Sequence, residues 1–167
     1  TWKEEGHADK FYSAVEELLN KVISGEEIEC QNKLIDLCNF IALKYFLNCS
    51  VLDLGEIKGN ICLRLADKSD KFFVSGKSID IEQGELVVSD AKNILIKKGL
   101  HEPADGVKVT KNTKSALIVI EALPPTNSDK LKNILDEIAQ LVEIFCKGKC
   151  KYAILNSDKT EYKIDNP

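Results

Sequence analysis

Hydrophobic residues recur at helical spacing in three long segments of the chain. The segments are DKFYSAVEELLNKVISG (residues 9–25), NKLIDLCNFIALKYF (32–46) and LPPTNSDKLKNILDEIAQLVEIFCKGK (123–149). In each of them apolar side chains return every three or four residues, which places them on one face of a helix. Gly25 follows the first segment, where a glycine commonly ends a helix. The pattern therefore predicts three amphipathic helices.

The third segment also carries signals for its own ends. Pro124 and Pro125 stop the run that precedes it, and Thr126 with Asp129 three residues later has the shape of a capping box. Gly148 follows the last apolar position of the stripe. We therefore expect a helix that is capped by Thr126 and ends at Gly148.

Between the second and third helices the pattern changes to short runs typical of strands. Alternating, β-branched or aromatic residues bounded by turn residues occur in ICLRLA (61–66), KFFVSG (71–76), ELVVSD (85–90) and NILIKKG (93–99). ALIVIEAL (116–123) is the most apolar run and is predicted to be a core strand buried on both faces. A last strand, CKYAIL (150–155), and a hairpin return, TEYKI (160–164), complete the predicted strands.

These elements predict one α+β domain over residues 1–167. No linker, low-complexity stretch or internal repeat divides the chain. The chain begins at Thr1 and contains no methionine, so we expect that it lacks an N-terminal segment.

Composition and net charge exclude some classes of partner for this domain. Hydrophobic residues make up 44% and charged residues 30% of the chain, which is ordinary for a folded globular protein. No apolar run of about 18 residues and no basic-then-apolar leader occurs, so neither a membrane span nor a signal peptide is predicted. The formal net charge of −4 excludes an overall positive field that would draw the domain onto DNA or RNA. Any RNA contact must therefore use local patches.

Six cysteines are present, and their surroundings favour structural thiols over a metal site. Cys146 and Cys150, in CKGKC, have one residue too many between them for the common zinc knuckle. His7 and His101 add no metal-like spacing. We predict no metal and no cofactor, and thiols that stay reduced, as in the cytoplasm.

Polar and charged residues cluster between residues 97 and 114. Gly99 and Gly106 indicate a loop, and loops often carry binding or catalytic residues. His101 beside Glu102 is a candidate acid–base pair, and the lysines are candidate contacts for phosphate groups. A solvated loop without function is the alternative. The candidate phosphate contacts are Lys97, Lys98, Lys108, Lys111 and Lys114.

Asn39 lies close to the apolar face of the second predicted helix, between Cys38 and Phe40. A buried asparagine must be hydrogen-bonded, so Asn39 either ties down a neighbouring loop or faces a ligand. The chain has no GxSxG, no glycine-rich phosphate loop, no HExxH and no CxxC pair. Residue chemistry alone therefore assigns no reaction.

Four motifs follow one another in an order that resembles a known family. They are LIDLCNFIALKY, LDLGEIKGNICLRLA, GELVVSD and VTKNTKSALIVIEALPP. Together they are similar to the tRNA synthetase B3/B4 domain, which includes the editing domain in the β subunit of bacterial phenylalanyl-tRNA synthetase. The similarity runs from about Leu18 to Leu155. The free-standing branch of the family resembles the chain more closely, because Trp2-Lys3-Glu4 and an EELL-type helix precede the motifs.

This resemblance implies a fold of β-sandwich-like sheets flanked by helices, and a set of site residues. In the synthetase the domain removes tyrosine wrongly attached to phenylalanine tRNA. Ser50 stands where the family has a histidine of the editing pocket, and KKGLHEPADG has single glycines where the family has a double-glycine loop. The matching positions are Asn39, Asp53, the Ile57–Gly59 turn, Arg64, Gly84, Glu85, Asp90, Thr110, Thr113 and Glu121. The candidate pocket comprises Asn39, Ser50, Asp53, His101, Glu102, Thr110 and Thr113.

Three functions follow from these observations. The chain is a domain directed at tRNA or aminoacyl-tRNA, which either hydrolyses mischarged tRNA in trans or binds it without chemistry. Alternatively, the pocket binds a small ligand such as an amino acid or a nucleotide. In the third alternative the chain is a protein-interaction domain without catalysis, which its acidic charge favours.

Overall fold

The computed structural model describes residues 14–98, 102–122 and 126–164, and within these ranges it has three α-helices and seven strands. The helices are α1 (Ala14–Ser24), α2 (Lys33–Tyr45) and α3 (Ser128–Leu141). The strands are β1 (Asn48–Asp53), β2 (Cys62–Leu65), β3 (Lys71–Val74), β4 (Lys77–Asp80), β5 (Leu86–Ser89), β6 (Ile94–Lys97) and β7 (Ala116–Glu121). The predicted α+β class is confirmed.

Helix α2 has a side-chain cap at its start and a left-handed residue at its end. The side chain of Asn32 accepts hydrogen bonds from the backbone N–H groups of Leu34 and Ile35, at 3.1 and 3.0 Å. These bonds satisfy two donors that have no partner within the helix. At the other end Phe46 adopts the left-handed conformation, with φ of 55°, and turns the chain into β1.

Helix α3 differs from its prediction at both ends. Its cap is Asn127, which accepts from the N–H of Lys130 at 2.7 Å, and not Thr126. Asparagine is a somewhat better N-cap than threonine, which is consistent with this shift by one residue. A π-helical turn (Val142–Cys146) follows the helix, and Lys147 at φ 57° ends it one residue before Gly148.

Helices α2 and α3 run antiparallel. Glu137 of α3 accepts hydrogen bonds from Lys44, at 2.6 Å, and from the hydroxyl of Tyr45, both in the last turn of α2. Helix α2 also contacts the π-helical turn that follows α3. The two helices therefore form one layer of the fold.

The strands form three small antiparallel sheets. β1 pairs with β7, so that Asn48 faces Glu121 and Asp53 faces Ala116. A second sheet has the order β2–β5–β6, and β3 and β4 form a hairpin. The hairpin turn is Ser75-Gly76, with φ of 50° and 71°, as in a type I′ turn. β1 and β4 were not among the predicted strands.

Strand β7 packs against a core on both faces, as predicted, but its side chains are less buried than expected. Ala116, Ile118 and Ile120 contact the core formed with α2 and α3, whereas Leu117 and Val119 contact the core of the other sheets. All six residues are nevertheless only half-buried. Within the described chain β1 is its one partner strand, so the other edge of β7 is not covered by a neighbouring strand.

The predicted last strand and hairpin return were also wrong. From Lys147 to Ile164 the described chain has no helix and no strand. The hydroxyl of Tyr152 donates to Asp136 of α3, so a side-chain contact holds this segment in place of a strand ladder. All six cysteines are free. Among the described residues, no helix is both long and apolar enough to span a bilayer.

Candidate functional site

Two clefts bring together most of the candidate residues. The first cleft has a volume of about 420 Å³ and lies between α1, the connector after it, α2 and the end of β3. Its lining residues are Glu17, Leu18, Lys21, Ile28, Glu29, Gln31, Asn39, Val74 and Glu102. Asn39 and Glu102, which are far apart in the sequence, therefore meet at one site.

Asn39 lies at the floor of the first cleft. Asn39 is 8% exposed. Two other lining residues are similarly buried, Leu18 at 3% and Val74 at 9% exposure. Within the described chain its side-chain amide has no hydrogen-bond partner. The amide nitrogen and oxygen of Asn39 are open to the cleft, since among the described residues the enclosed side-chain atom without a partner is Oδ1 of Asn48. The amide is thus positioned to bind a molecule in the cleft.

Carboxylates dominate the rim of the first cleft. Glu17 pairs with Lys21 at 3.4 Å, one helical turn away. Glu102 accepts a hydrogen bond from the hydroxyl of Ser75 at 3.0 Å. Glu29 is exposed and has no ion pair among the described residues. The cleft consequently presents a negative charge to a ligand.

The second cleft has a volume of about 580 Å³ and lies where β1 ends and the loop before β7 turns. Three candidate pocket residues, Asp53, Thr110 and Thr113, line it. The other lining residues are Leu54, Gly55, Glu56, Asp105, Gly106, Lys108, Asn112, Lys114 and Ser115.

Thr113 fixes the wall of the second cleft. Its hydroxyl donates to the carboxylate of Asp53 and accepts from the N–H of Thr110 at 2.9 Å. Asp53 also accepts from the N–H of Gly55 at 3.0 Å. The hydroxyl oxygen of Thr110 accepts from the N–H of Asn112 at 3.1 Å, and its proton stays available to a ligand. Of the two threonines, Thr110 is therefore the better candidate for ligand contact.

Lys108 joins the two clefts. Its ammonium lies 2.8 Å from Glu102 of the first cleft and 2.8 Å from Asp105 of the second. Burial lowers the pKa of Lys108, but its bonds to Asp105 and Glu102 outweigh that effect and raise the pKa overall. The two carboxylates neutralise this lysine, so it contributes little positive charge to either cleft.

Asp105 holds the β3–β4 hairpin against this ion pair. Its carboxylate accepts from the backbone N–H groups of Ser75 and Gly76, both at 2.8 Å. The hydrogen bond from Lys108, followed by these two N–H groups, lowers the pKa of Asp105 to about 2. Asp105 is therefore ionised at neutral pH and ties the hairpin turn to the loop.

The candidate phosphate contacts fall into two groups. Lys97 is 8% exposed and pairs with Glu85 at 2.9 Å, which leaves it out of any phosphate surface, and Lys108 is neutralised as described. Lys98, Lys111 and Lys114 are exposed, and Lys114 also lines the second cleft. These three remain suited to contact a phosphate backbone.

Two candidate pocket residues are not among the described residues that line the two clefts. Ser50 is half-buried on β1, opposite Val119 of β7. His101 lies outside the described residues. Conversely, Glu29 and Gln31 line the first cleft and were not predicted, because the connector after α1 carries no periodic signal.

Several residues that match the family motifs hold the fold together. Asp90 accepts from the N–H groups of Lys58, Lys92 and Asn93 at 2.7 to 2.8 Å. Burial raises the pKa of Asp90, but these N–H groups outweigh burial and lower it overall. Gly59 has φ of 80°, and a Cβ there would lie 3.2 Å from that of Ala91. The Ile57–Gly59 turn is thus docked on Asp90.

Arg64 and Glu85 have comparable structural contacts. The guanidinium of Arg64 donates two bonds to Asp70, at 2.6 and 3.0 Å, and one to Ser89 at 3.0 Å. The bond from Arg64 is the main reason that the pKa of Asp70 is lowered. Glu85 pairs with the buried Lys97. These side chains therefore stabilise the sheet β2–β5–β6 and its neighbouring turns.

Comparison with known proteins gives the chain its relatives. A family model described as a B3/4 domain matches residues 8–147. The phenylalanine–tRNA ligase beta subunit of Fusobacterium nucleatum subsp. nucleatum is 25% identical over 100 residues, which cover 59% of this chain and 12% of that protein. The same subunit of Tropheryma whipplei (strain Twist) is 27% identical over 85 residues, which cover 50% of this chain and 9% of that protein. The aligned part of the chain spans about a tenth of the length of these relatives.

Proposed function

Because this chain belongs to the B3/4 domain family, we propose that it is directed at tRNA and holds the aminoacyl end of an aminoacyl-tRNA in the first cleft. The relatives from Fusobacterium and Tropheryma are beta subunits of a tRNA ligase, which supports tRNA as the partner. A cytoplasmic location follows from this proposal, since tRNA is charged there.

The amide of Asn39 is the observation that carries this proposal. It offers one donor group and one acceptor to the first cleft, and no described residue forms a hydrogen bond with it, so both groups are open to a ligand there. An aminoacyl ester has both a carbonyl acceptor and an ammonium donor. The apolar side chains of Leu18 and Val74 at the floor supply a surface for the amino-acid side chain.

The exposed lysines complete the proposed tRNA contact. Lys111 and Lys114 lie in the turn beside the second cleft, and the second cleft adjoins the first through Lys108. Phosphates of the acceptor end at these lysines would release counterions, which gives affinity without reading the base sequence. Lys98 is a third exposed cation at the end of β6.

The lining of the first cleft favours holding an ester over attacking it covalently. None of its described lining residues is a serine, threonine, cysteine or histidine. In this cleft deacylation would use a water positioned by oriented side chains, which attacks the ester carbonyl and releases the tRNA hydroxyl.

Incubation with a panel of mischarged tRNAs tests the proposal. Aminoacyl-tRNA binding that weakens steeply as salt rises is expected, and the rate of deacylation measured alongside decides whether chemistry accompanies binding. If neither salt-sensitive binding nor deacylation above background is found with any of the tRNAs, the chain is not directed at tRNA.

A small amine ligand is a second candidate, which Glu29 favours. Its carboxylate is exposed at the first cleft with no ion pair in the described chain, so it suits the ammonium of a free amino acid. A thermal-shift screen of amino acids and nucleotides distinguishes this candidate, because a ligand of the folded state raises the melting temperature. Equal melting temperatures with and without every amino acid would exclude it.

A further inference from the structure

The segment after α3 combines exposed lysines with exposed apolar side chains. We call residues 144–151 (IFCKGKCK) the basic turn. Lys147, Lys149 and Lys151 are exposed. Ile144 and Phe145 are 58% and 55% exposed. In a chain with a net charge of −4, three cations within five residues form a local reversal of charge.

The π-helical turn explains why these side chains point outward. The N–H groups of Lys147 and Gly148 both return to the carbonyl of Val142, which closes the helix. Val142 is buried and Cys146 half-buried against the core of α2 and α3. Phe145, between them in the turn, is consequently left on the surface.

Lys33, the first residue of α2, adds a cation to the helix that packs against the π-helical turn. Burial raises the pKa of the Cys146 thiol, and the positive charge of Lys33 opposes this rise. Lys33 is exposed and lies two residues after Gln31, which lines the first cleft. The basic turn therefore lies against α2, the helix that also carries Asn39 of the first cleft.

We propose that the basic turn binds the single-stranded end of an RNA, with Lys147 and Lys149 on the phosphates and Phe145 stacked on a base. This inference rests on the proposed function and gives it a second RNA contact. Single-stranded nucleic acids are commonly bound by aromatic side chains set among cations, because every base offers a π-face. Positive charge around Phe145 suits a polyanion better than an apolar protein partner.

Paired variants of exposed lysines test the electrostatic part. In Lys147→Asn with Lys149→Gln, two charges are removed, and asparagine tolerates the left-handed conformation at position 147. Lys130→Gln with Lys132→Gln is the matched control, since both lysines are exposed at the other end of the same helix. The plot of log affinity for tRNA against log salt should become shallower by about 1.4 in the first variant, at about 0.7 for each phosphate of a single strand. The control should keep the slope of the unmodified protein.

Two variants, each lacking one exposed phenylalanine, test whether Phe145 stacks on a base. Phe145→Ala should weaken tRNA binding by about tenfold, within the range for loss of one stacked base. Phe73→Ala is its control, because Phe73 is 54% exposed on β3. Melting temperatures of all variants show whether each is folded, and Phe145→Ala alone decides the outcome if the lysine variant is not.

The outcomes separate this inference from the proposed function. If the unmodified protein binds tRNA and the basic-turn variants bind it with unchanged slope and affinity, the basic turn is not the contact and the proposed function stands. If the unmodified protein binds no tRNA, oligouridylate and polyglutamate replace tRNA as probes of the basic turn. Binding of oligouridylate that the Phe145→Ala variant loses supports the inference, whereas preference for polyglutamate, or binding of neither, overturns it.

Discussion

At the scale of single residues, the hydroxyl of Thr113 forms more hydrogen bonds within the turn than that of Thr110. Thr113 bonds to Asp53 and to the N–H of Thr110, whereas the Thr110 hydroxyl accepts from a single N–H group. Thr113→Val keeps the shape of the side chain and removes both bonds. We expect it to lower the free energy of unfolding by about 1–3 kcal/mol.

Thr110→Val is the matched variant for this prediction. It removes one bond at an exposed position, so a loss of less than about 1 kcal/mol is expected. Urea denaturation of both variants gives the comparison. Equal losses would show that the bond between Thr113 and Asp53 does not stabilise the turn.

Asp105 makes the stability of the protein depend on acid pH. Its pKa falls from an ordinary 3.8 to about 2 on folding, chiefly through the hydrogen bond from Lys108. A carboxyl whose pKa is lowered on folding stabilises the protein above its unfolded pKa, and this contribution is lost as pH falls through the folded pKa. Part of the stability is therefore lost between about pH 4 and 2.

The variant Asp105→Asn should remove this part of the pH dependence. Melting temperatures measured from pH 5 to pH 2 should fall less steeply in Asp105→Asn than in the unmodified protein. Asp158→Asn, which changes an exposed carboxylate of the C-terminal segment, is the control and should leave the slope as it is. An unchanged profile in Asp105→Asn would contradict the assignment.

At the scale of elements, two glycines with positive φ separate conformational strain from crowding. Gly59 and Gly84 have φ of 80° and 90°, but only Gly59 has a neighbour that an added Cβ would crowd, at 3.2 Å from Ala91. Gly84→Ala should cost about 1–2 kcal/mol from the backbone alone. Gly59→Ala should cost more, since the turn must also move away from Ala91. Chemical denaturation that ranks the two in the opposite order would mean that the Gly59 turn is not tightly docked.

The pattern of hydrophobic residues predicted α1, α2, α3 and five of the seven described strands because each of these carries its own periodicity. It did not predict β1, whose sequence NCSVLD holds a polar residue at three of its six positions and becomes a strand by pairing with β7. It predicted CKYAIL as a strand because local alternation does not reveal whether a partner edge exists. Tertiary pairing decided both cases.

The candidate site was likewise predictable from the sequence only in part. Asn39 could be identified from the sequence because a polar residue near an apolar face is exceptional. The split of the candidates between two clefts could not, since it depends on how Lys108 bridges Glu102 and Asp105. Arg64, Glu85 and Asp90 match the family motifs, and the structure gives them bonds that hold the fold.

At the scale of the whole molecule, the two clefts lie side by side and share one network of ion pairs. The first cleft adjoins the second through Lys108, which pairs with Glu102 of the first and Asp105 of the second. An acidic cleft with the exposed Lys111 and Lys114 to one side suits a ligand that has an ammonium group at one end and phosphates leading away from it. An aminoacyl-tRNA has this distribution of charge.

The affinity for charged relative to uncharged tRNA, measured in Asn39→Ala, tests the central claim most directly. Asn133→Ala is the control, because Asn133 is an exposed asparagine inside α3. If Asn39 binds the aminoacyl group, the unmodified protein and Asn133→Ala should prefer charged tRNA, and Asn39→Ala should lose about tenfold of that preference, as for one or two hydrogen bonds. A preference for charged tRNA that is the same in all three proteins would contradict the claim that the first cleft holds the aminoacyl end.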